Sequence, residues 1–382
     1  MSEAIPIYEG AIDKGLEGIV ACTTAISAIQ DNTLSFRGYS IEELAAKSNF
    51  EEVISLLWSG KLPNSRELAS IHQELSSQMT LPGELLKVLK TLPTKNVHPM
   101  AWLRSAVSIS AHWDADANDS SVEANRRKAV RLTARMGPLV CALEAIRQGR
   151  EPVAPRPEKS LAWNFLYLLN SGKEPSEQMA RVFDTCLLLH ADHELNCSAF
   201  ATRVTASSLS DLYSAVVSAL GALKGPLHGG ANEQVMLMLK RIANMDKARE
   251  FVKAALAAKE KVMGIGHRVY KNGDPRAAIL RQLSDQLTRQ IGEHHWYEIS
   301  TLIDETMYKE KGLMPNVDFY SATVYYSMGI PVDLYTPVFA VSRIAGWIAH
   351  AAEQFGNNRI YRPRGKWTGP IGLKYKPINE RG

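Results

Sequence analysis

Past one short N-terminal segment, apolar residues recur at the spacing of a helix, and no other feature constrains the fold of this chain as much. The stretch "IEELAAKSNFEEVISLLWSGKLP" predicts two short helices stopped by Ser59-Gly60 and Pro63, the second carrying Val53, Ile54, Leu56, Leu57 and Trp58. Ile279, Leu283, Leu287 and Ile291 fall four apart, just after Asp274-Pro275, an N-cap and first-turn signature. "RIAGWIAHAAEQF" places Ile344, Trp347, Ile348, Ala351, Ala352 and Phe355 on one face, with Arg343 opening that helix. The one convincing strand signal is "ACTTAISAIQDNTLSFRGYS", where β-favouring residues flank Asp31-Asn32 and read as a short hairpin. The expectation is a mainly α protein.

At 382 residues the chain favours a two-lobed globule, with room for a small-molecule cleft between the lobes. Its formal charge of +4 is small for that length and makes no case for nucleic acid. The densest basic run puts Arg127, Arg131 and Arg135 a helical turn apart; it reads as a solvated face in preference to a phosphate stripe. Cys22, Cys141, Cys186 and Cys197 form no CxxC pair and follow no secretory leader, so reduced thiols and a cytoplasmic location are expected. No window reaches the length of a membrane span. The proline-rich segment 148–160 reads as a connection within one lobe, and "YKEKGLMPN" as a second linker.

Five motifs carry candidate chemistry. In "GPLHGGANEQV", His228 sits among Gly225, Gly229 and Gly230, which permit unusual backbone angles and close ligand approach. A helix start there would keep the imidazole neutral, although a tight turn with an incidental histidine fits as well. In "GIGHRVYKNGDPRA", His267 is followed by Arg268, Lys271 and Arg276. A Rossmann turn would need a third glycine and a preceding strand, so cations beside free backbone N–H groups suit an anion better; a solvated basic loop stays open. In "LLLHADHELNCSAF", His190 and His193 are three apart and expected on one helix face. With Glu194 they lack a further ligand at metal spacing, so no metal is expected, and core or substrate-donor histidines are the better readings.

In "MPNVDFYSATVYYSMGIP", apolar neighbours would desolvate Asp318 and make it a base near neutrality; local sequence alone favours a helix cap. Arg343 either snorkels or pairs with a buried anion, and Arg362 in "IYRPRGKWTG" has a surface role by default. Together, two glycine-framed histidines, a desolvated aspartate and several arginines describe proton abstraction beside a carbonyl with a di-anionic partner.

In order and spacing, "LHADHE", "GPLHGGAN", "GIGHRVYKNGDPRA", "NVDFYS" and "FAVSRIAGW" resemble the citrate synthase family, which includes the 2-methylcitrate synthases. The likeness extends through "GLEGIVACTTAISAIQDNTLSFRGYSIEELA" and "HPMAWLRSAVS", so it spans nearly the whole chain. It implies a two-domain, all-helical homodimer with a short N-terminal β-hairpin. Residues 1–228 and 330–382 would form the large domain and 229–329 a small mobile one, with His228 at the hinge. The implied activity condenses acetyl-CoA with oxaloacetate and hydrolyses the thioester to citrate and CoA, as in the tricarboxylic acid cycle. Alternatives are 2-methylcitrate formation from propionyl-CoA, a non-catalytic CoA- or dicarboxylate-binding protein, and a metalloprotein centred on His190 and His193.

The resemblance assigns Asp318 as the base, His228 as the enol donor and His267 as the donor to the oxaloacetate carbonyl. His193, Arg276 and Arg343 would bind the keto acid, and Arg362 would reach it from the partner subunit. CoA, a co-substrate and not a tightly bound cofactor, would lie along Lys261, Gly264 and Gly266, with Arg268 and Lys271 available for its phosphates. Neither nucleic acid nor membrane is an expected partner. The start near "GLEGIVA" leads to the expectation of a dimer-type enzyme without the NADH inhibition of the hexameric branch.

Overall fold

A computed structural model of the chain describes residues 13–381. Those residues form sixteen α-helices and one three-stranded antiparallel sheet. The hairpin pairs β1 (Ser27–Gln30) with β2 (Thr33–Phe36), from Ser27 opposite Phe36 to Gln30 opposite Thr33. Asp31 and Asn32 close it at φ 49° and 63°, the left-handed pair that a two-residue turn of this twist requires. A short β3 (Tyr39–Ser40), which the sequence reading missed, adds to the edge.

The two short helices form as expected, Ile41–Lys47 and Phe50–Ser59, capped by Ser40 and Asn49. Gly60 ends the second at φ 82°, a left-handed stop that glycine adopts without strain.

Helix Tyr335–Gly356 is the central post. Helices Phe50–Ser59, Val122–Arg147, Glu177–His190, Cys197–Ser207 and Leu212–Leu223 all pack on it. It is buried on every side as far as Ala351, so the expected single apolar face is corrected: a helix with neighbours all round has no solvent side to mark. Arg343 consequently lies in its interior and does not open it.

A second group, Ala231–Ile242, Met245–Ala258, Pro275–Gln290, His295–Lys311 and Val317–Ser327, packs mainly within itself. Asp274 caps Pro275–Gln290 as predicted, accepting the Arg276 N–H at 3.0 Å. The buried face is rotated from the expected stripe, however. Ile291 is exposed and Ile279 and Leu283 are half-buried, while Arg276, Leu280, Ser284, Leu287 and Thr288 point inward. The Ser284 and Thr323 hydroxyls meet at 2.6 Å, so pairing makes this polar face buriable.

The basic run is a solvated face at Arg127, which stays exposed, but its arginines are taken up by protein partners and Arg131 and Arg135 are part-buried. Arg131 is bonded to Asp114 at 2.8 Å, Arg127 to Asp116 at 2.9 Å, and Arg135 to the Gln78 carbonyl at 3.2 Å. Segment 148–160 connects helices Val122–Arg147 and Leu161–Leu169, which pack together. All four cysteines are free thiols, and among the described residues no helix is long and apolar enough to cross a membrane.

Candidate active site

Asp318 occupies the first turn of helix Val317–Ser327 without capping it. The cap is Asn316, whose side chain accepts the Asp318 N–H at 3.0 Å, which frees the carboxylate for other work. Asp318 Oδ1 is buried and has no hydrogen-bond partner. Burial drives its acidity to about 7, against the opposing field of Arg276. Such a carboxylate is a usable base near neutrality.

His228 lies in the turn before helix Ala231–Ile242, but a different helix controls it. The N–H of Ser198, in the first turn of Cys197–Ser207, points at His228 Nε2 from 3.3 Å, and Ser198 Oγ lies 2.8 Å from the same atom. Nε2 is therefore an acceptor, the ring proton sits on Nδ1, and the imidazole is neutral. Burial, with Arg343 adding to it, lowers its pKa to about 4. The glycines also differ from expectation. None of Gly225, Gly229 and Gly230 has a positive φ. A Cβ on Gly229 would lie 2.7 Å from the Leu223 carbonyl oxygen, whereas Gly230 has ordinary room. Tight turn packing, and not an open ligand path, requires Gly229.

His267 shows the opposite tautomer. Its Nδ1 accepts the N–H groups of Val269 at 3.0 Å and Tyr270 at 3.2 Å, which places the proton on Nε2. Burial keeps the ring's pKa below its ordinary value, Asp274 opposing. His193 lies edge-on to His267 with ring centroids 5.3 Å apart, and its Nε2 is 3.1 Å from the Tyr270 hydroxyl. Burial and the nearby Arg276 and Arg343 hold His193 well below its usual range.

His190 and His193 do not share a helix face, because the helix ends at His190. His190 Nδ1 is 2.8 Å from the Cys186 carbonyl, and its ring packs edge-on against Phe339 at 4.9 Å. It is thus a core histidine, with burial lowering its pKa to about 3.

Arg276 and Arg343 are both fully buried. Arg276 is not free to grip a ligand with its whole fork: its Nε and Nη2 are held by Asp274 at 3.0 and 2.8 Å, and Asp274 also accepts the Val317 N–H at 3.0 Å. One carboxylate thereby ties the arginine to the helix that carries Asp318. Arg343 donates from Nε to the His190 carbonyl at 2.7 Å and lies 4.7 Å over the Phe339 ring. Burial lowers it to about 10, with Asp192 resisting. The fields of these two arginines reach His193 and Asp318, and that of Arg343 reaches His228; with the His193–His267 ring contact, these residues are electrostatic neighbours.

The remaining candidates lie apart. Arg362 is exposed and lines a groove of about 760 Å3 with Ile19, Cys22, Phe200 and Tyr361. Lys261, Arg268 and Lys271 are also exposed; Lys261 borders a separate groove of about 520 Å3 with Arg241, Lys247 and Phe251. Gly264 and Gly266 have φ values of 77° and 87°. The expected free amides beside these cations are largely spoken for: Gly266 N–H goes to Met314 O at 2.7 Å, Ile265 to Val262 O, and Val269 and Tyr270 to His267.

Sequence reasoning missed Ser198, Tyr270 and Asn316, and gave Asp274 only its capping role. Asn316 had a signal, since a cap candidate two residues before Asp318 competes for the same helix start. Ser198 had none, being 30 residues from the ring it orients.

A helical fold that brings together a buried carboxylate oxygen without a partner, two neutral imidazoles with assigned donor nitrogens and two buried arginines fits an enzyme of acid–base carbonyl chemistry. The family model for the citrate synthase C-terminal domain matches residues 15–364. Citrate synthase 2 of Bacillus subtilis is 51% identical over 96% of this chain and 99% of its own length, and the Haloferax volcanii citrate synthase is 48% identical over 97% and 100%. A 2-methylcitrate synthase of Mycobacterium tuberculosis is 41% identical over 94% and 91%. Among solved structures, citrate synthase of Thermoplasma acidophilum, in its ternary complex with carboxymethyl coenzyme A and oxaloacetate, superposes with a TM-score of 0.91 at 33% identity over 97% of this chain and all of that one. The chain belongs to the citrate synthase family.

Proposed function

We propose that this enzyme condenses acetyl-CoA with oxaloacetate and hydrolyses the resulting thioester to citrate and CoA, a step of the tricarboxylic acid cycle. The observation that carries the reading is Asp318 Oδ1, buried and unpartnered in a cleft with two neutral histidines of opposite tautomer. Asp318 takes a proton from the thioester methyl carbon, and the C–H electron pair moves toward the thioester oxygen. His228 Nδ1–H holds that oxygen; as a neutral donor it stabilises the enol without first delivering a proton to solvent. The enol carbon attacks the keto carbon of oxaloacetate, and His267 Nε2–H meets the charge that collects on the keto oxygen. Water then adds to the thioester carbonyl, the C–S bond breaks, and the CoA thiol leaves with a proton.

His193, Arg276 and Arg343 bind the keto acid in this reading, Arg276 with the donors that Asp274 leaves over. The enzyme is a cytoplasmic homodimer in which residues 229–329 close as a small domain over the substrates and exclude water. Arg362 completes the dicarboxylate site from the partner subunit. Its supports are the exposed apolar residues around it, Ile360, Trp367, Ile371 and Leu373, which a second subunit would cover. CoA lies along Lys261, Gly264 and Gly266, with Arg268 and Lys271 near its phosphates; the exposure of all three cations supports this placement. No cofactor is held between turnovers.

Relatives named for 2-methylcitrate synthesis make propionyl-CoA the competing substrate. One methylene is worth about 1–3 kcal/mol in a pocket, so the two thioesters are compared directly. A released-thiol assay with oxaloacetate is expected to give the larger kcat/KM for acetyl-CoA; a large preference for propionyl-CoA would reverse the assignment. Asp318→Ala should lose about 10³-fold or more in kcat while still binding oxaloacetate, and an active variant would remove Asp318 as the base.

A further inference from the structure

Arg276 has a fixed counter-charge in Asp274, but Arg343, equally buried, has no carboxylate in ion-pair contact among the described residues. A buried guanidinium without compensation is unfavourable. The side of the central helix that carries Arg343 supplies one. Arg343, Gly346 and His350 fall at i, i+3 and i+7, so they share a face of helix Tyr335–Gly356. That face lies against the segment just beyond helix Glu177–His190: His190 O takes Arg343 Nε, Ala191 O takes the Gly346 N–H at 3.1 Å, and Asp192 Oδ1 faces His350 Nε2 at 3.3 Å. Gly346 makes the approach possible, since a Cβ there would overlap both Ala191 O and Asp192 Oδ1.

Asp192 is completely buried, one residue from His193; Ser27 bonds one oxygen and His350 faces the other, which has no hydrogen-bond partner. Ser27 Oγ donates to its Oδ2 at 2.5 Å while accepting the Glu194 N–H at 2.7 Å. His350 Nδ1 accepts from Arg203 Nε at 3.0 Å, which leaves the proton on Nε2, the nitrogen turned toward Asp192; Arg203 in turn pairs with Glu353. Asp192 is also the carboxylate that most supports the charge on Arg343.

Resting on the oxaloacetate reading above, we propose that Asp192, held by Ser27 and facing His350, is a positioning residue: its charge balances Arg343 from behind and steadies it toward the substrate without occupying the donors that meet the substrate carboxylate. The two arginines then differ in kind. Arg276 shares its fork with its partner, and Arg343 is balanced from behind.

The test measures oxaloacetate Kd by titration calorimetry on the full chain, for the wild type, Asp192→Asn, Arg343→Gln and the double variant, with KM for acetyl-CoA and Tm beside it. Asp192→Asn keeps the shape and the Ser27 contact but removes the charge. It is expected to weaken oxaloacetate about tenfold or more, to leave KM for acetyl-CoA within about twofold, and to have no further effect once Arg343 is Gln. Oxaloacetate binding within twofold of wild type overturns the proposal, and so do effects that multiply in the double variant, since a strut for the 190–194 segment would act whether or not Arg343 is present. If Asp192→Asn does not fold, Ser27→Ala, which keeps the charge and frees Oδ2, replaces it: a weakening of about threefold that vanishes beside Arg343→Gln supports the proposal, and no change overturns it. A wild type that binds no oxaloacetate overturns the reading of the site and this proposal together.

Discussion

Gly225, Gly229 and Gly230 around His228 all avoid positive φ, whereas Gly264, Gly266 and Gly273 around His267 stand at 77°, 87° and 88°. The first loop is an ordinary tight turn whose histidine is oriented by a distant helix start, at Ser198. The second is a loop with left-handed glycines that orients its own histidine with the amides two and three residues further on. Two motifs that look alike in sequence thus protonate opposite ring nitrogens. The difference teaches that glycine around a histidine marks backbone proximity, while the amide that reaches the ring decides its chemistry.

The comparison breaks most sharply at Gly264. A Cβ there would meet Val235 at 2.8 Å and the Phe319 Cα at 3.0 Å, on a backbone that L side chains rarely adopt. Because Phe319 follows Asp318, Gly264→Ala is expected to displace the base and cut kcat/KM by about 10²-fold, read in the thiol assay together with a lowered Tm. Amide isosteres sharpen the tautomer contrast. Asn mimics a protonated Nδ1 and Gln a protonated Nε2, so His228→Asn and His267→Gln should each retain at least about tenfold more kcat than His228→Gln and His267→Asn. Equal losses for Asn and Gln at either position would reject the assigned donor there.

The pH profile comes next. Asp318 must be ionised to accept a proton, and its pKa is raised to about 7, so kcat/KM for the thioester should fall about tenfold per pH unit below that value and level off above it. The His228 imidazole, held down to about 4 by burial, adds no second limb near neutrality. The smallest effect belongs to Gly230, where a Cβ has 3.6 Å to its nearest neighbour. Gly230→Ala should keep kcat/KM within about threefold, in contrast to Gly229→Ala, whose Cβ would press on Leu223.

Legibility followed the range of the interactions. The hairpin turn at Asp31-Asn32, the Asp274 cap and the Gly60 stop were readable because each rests on neighbours in sequence. The buried face of Pro275–Gln290 was not, because paired hydroxyls at Ser284 and Thr323, 39 residues apart, lie where an apolar pattern was sought. The central helix defeated the amphipathic criterion by having no wet side. The reactive residue types were legible as a set, and the roles proposed for them come from the family motifs. What stayed hidden were the supports: Ser198 behind His228, Asp274 on Arg276, and the His190 carbonyl on Arg343, 153 residues away. Local sequence preferred Asp318 as a cap, and only Asn316 taking that place left it reactive.

Helix Tyr335–Gly356 also sets the order in which the chain can be completed. Helices Phe50–Ser59, Val122–Arg147, Glu177–His190, Cys197–Ser207 and Leu212–Leu223 each turn a face to this late segment. All five of those partners are therefore synthesised before their central post, and until it emerges they present apolar surface to solvent or to a chaperone.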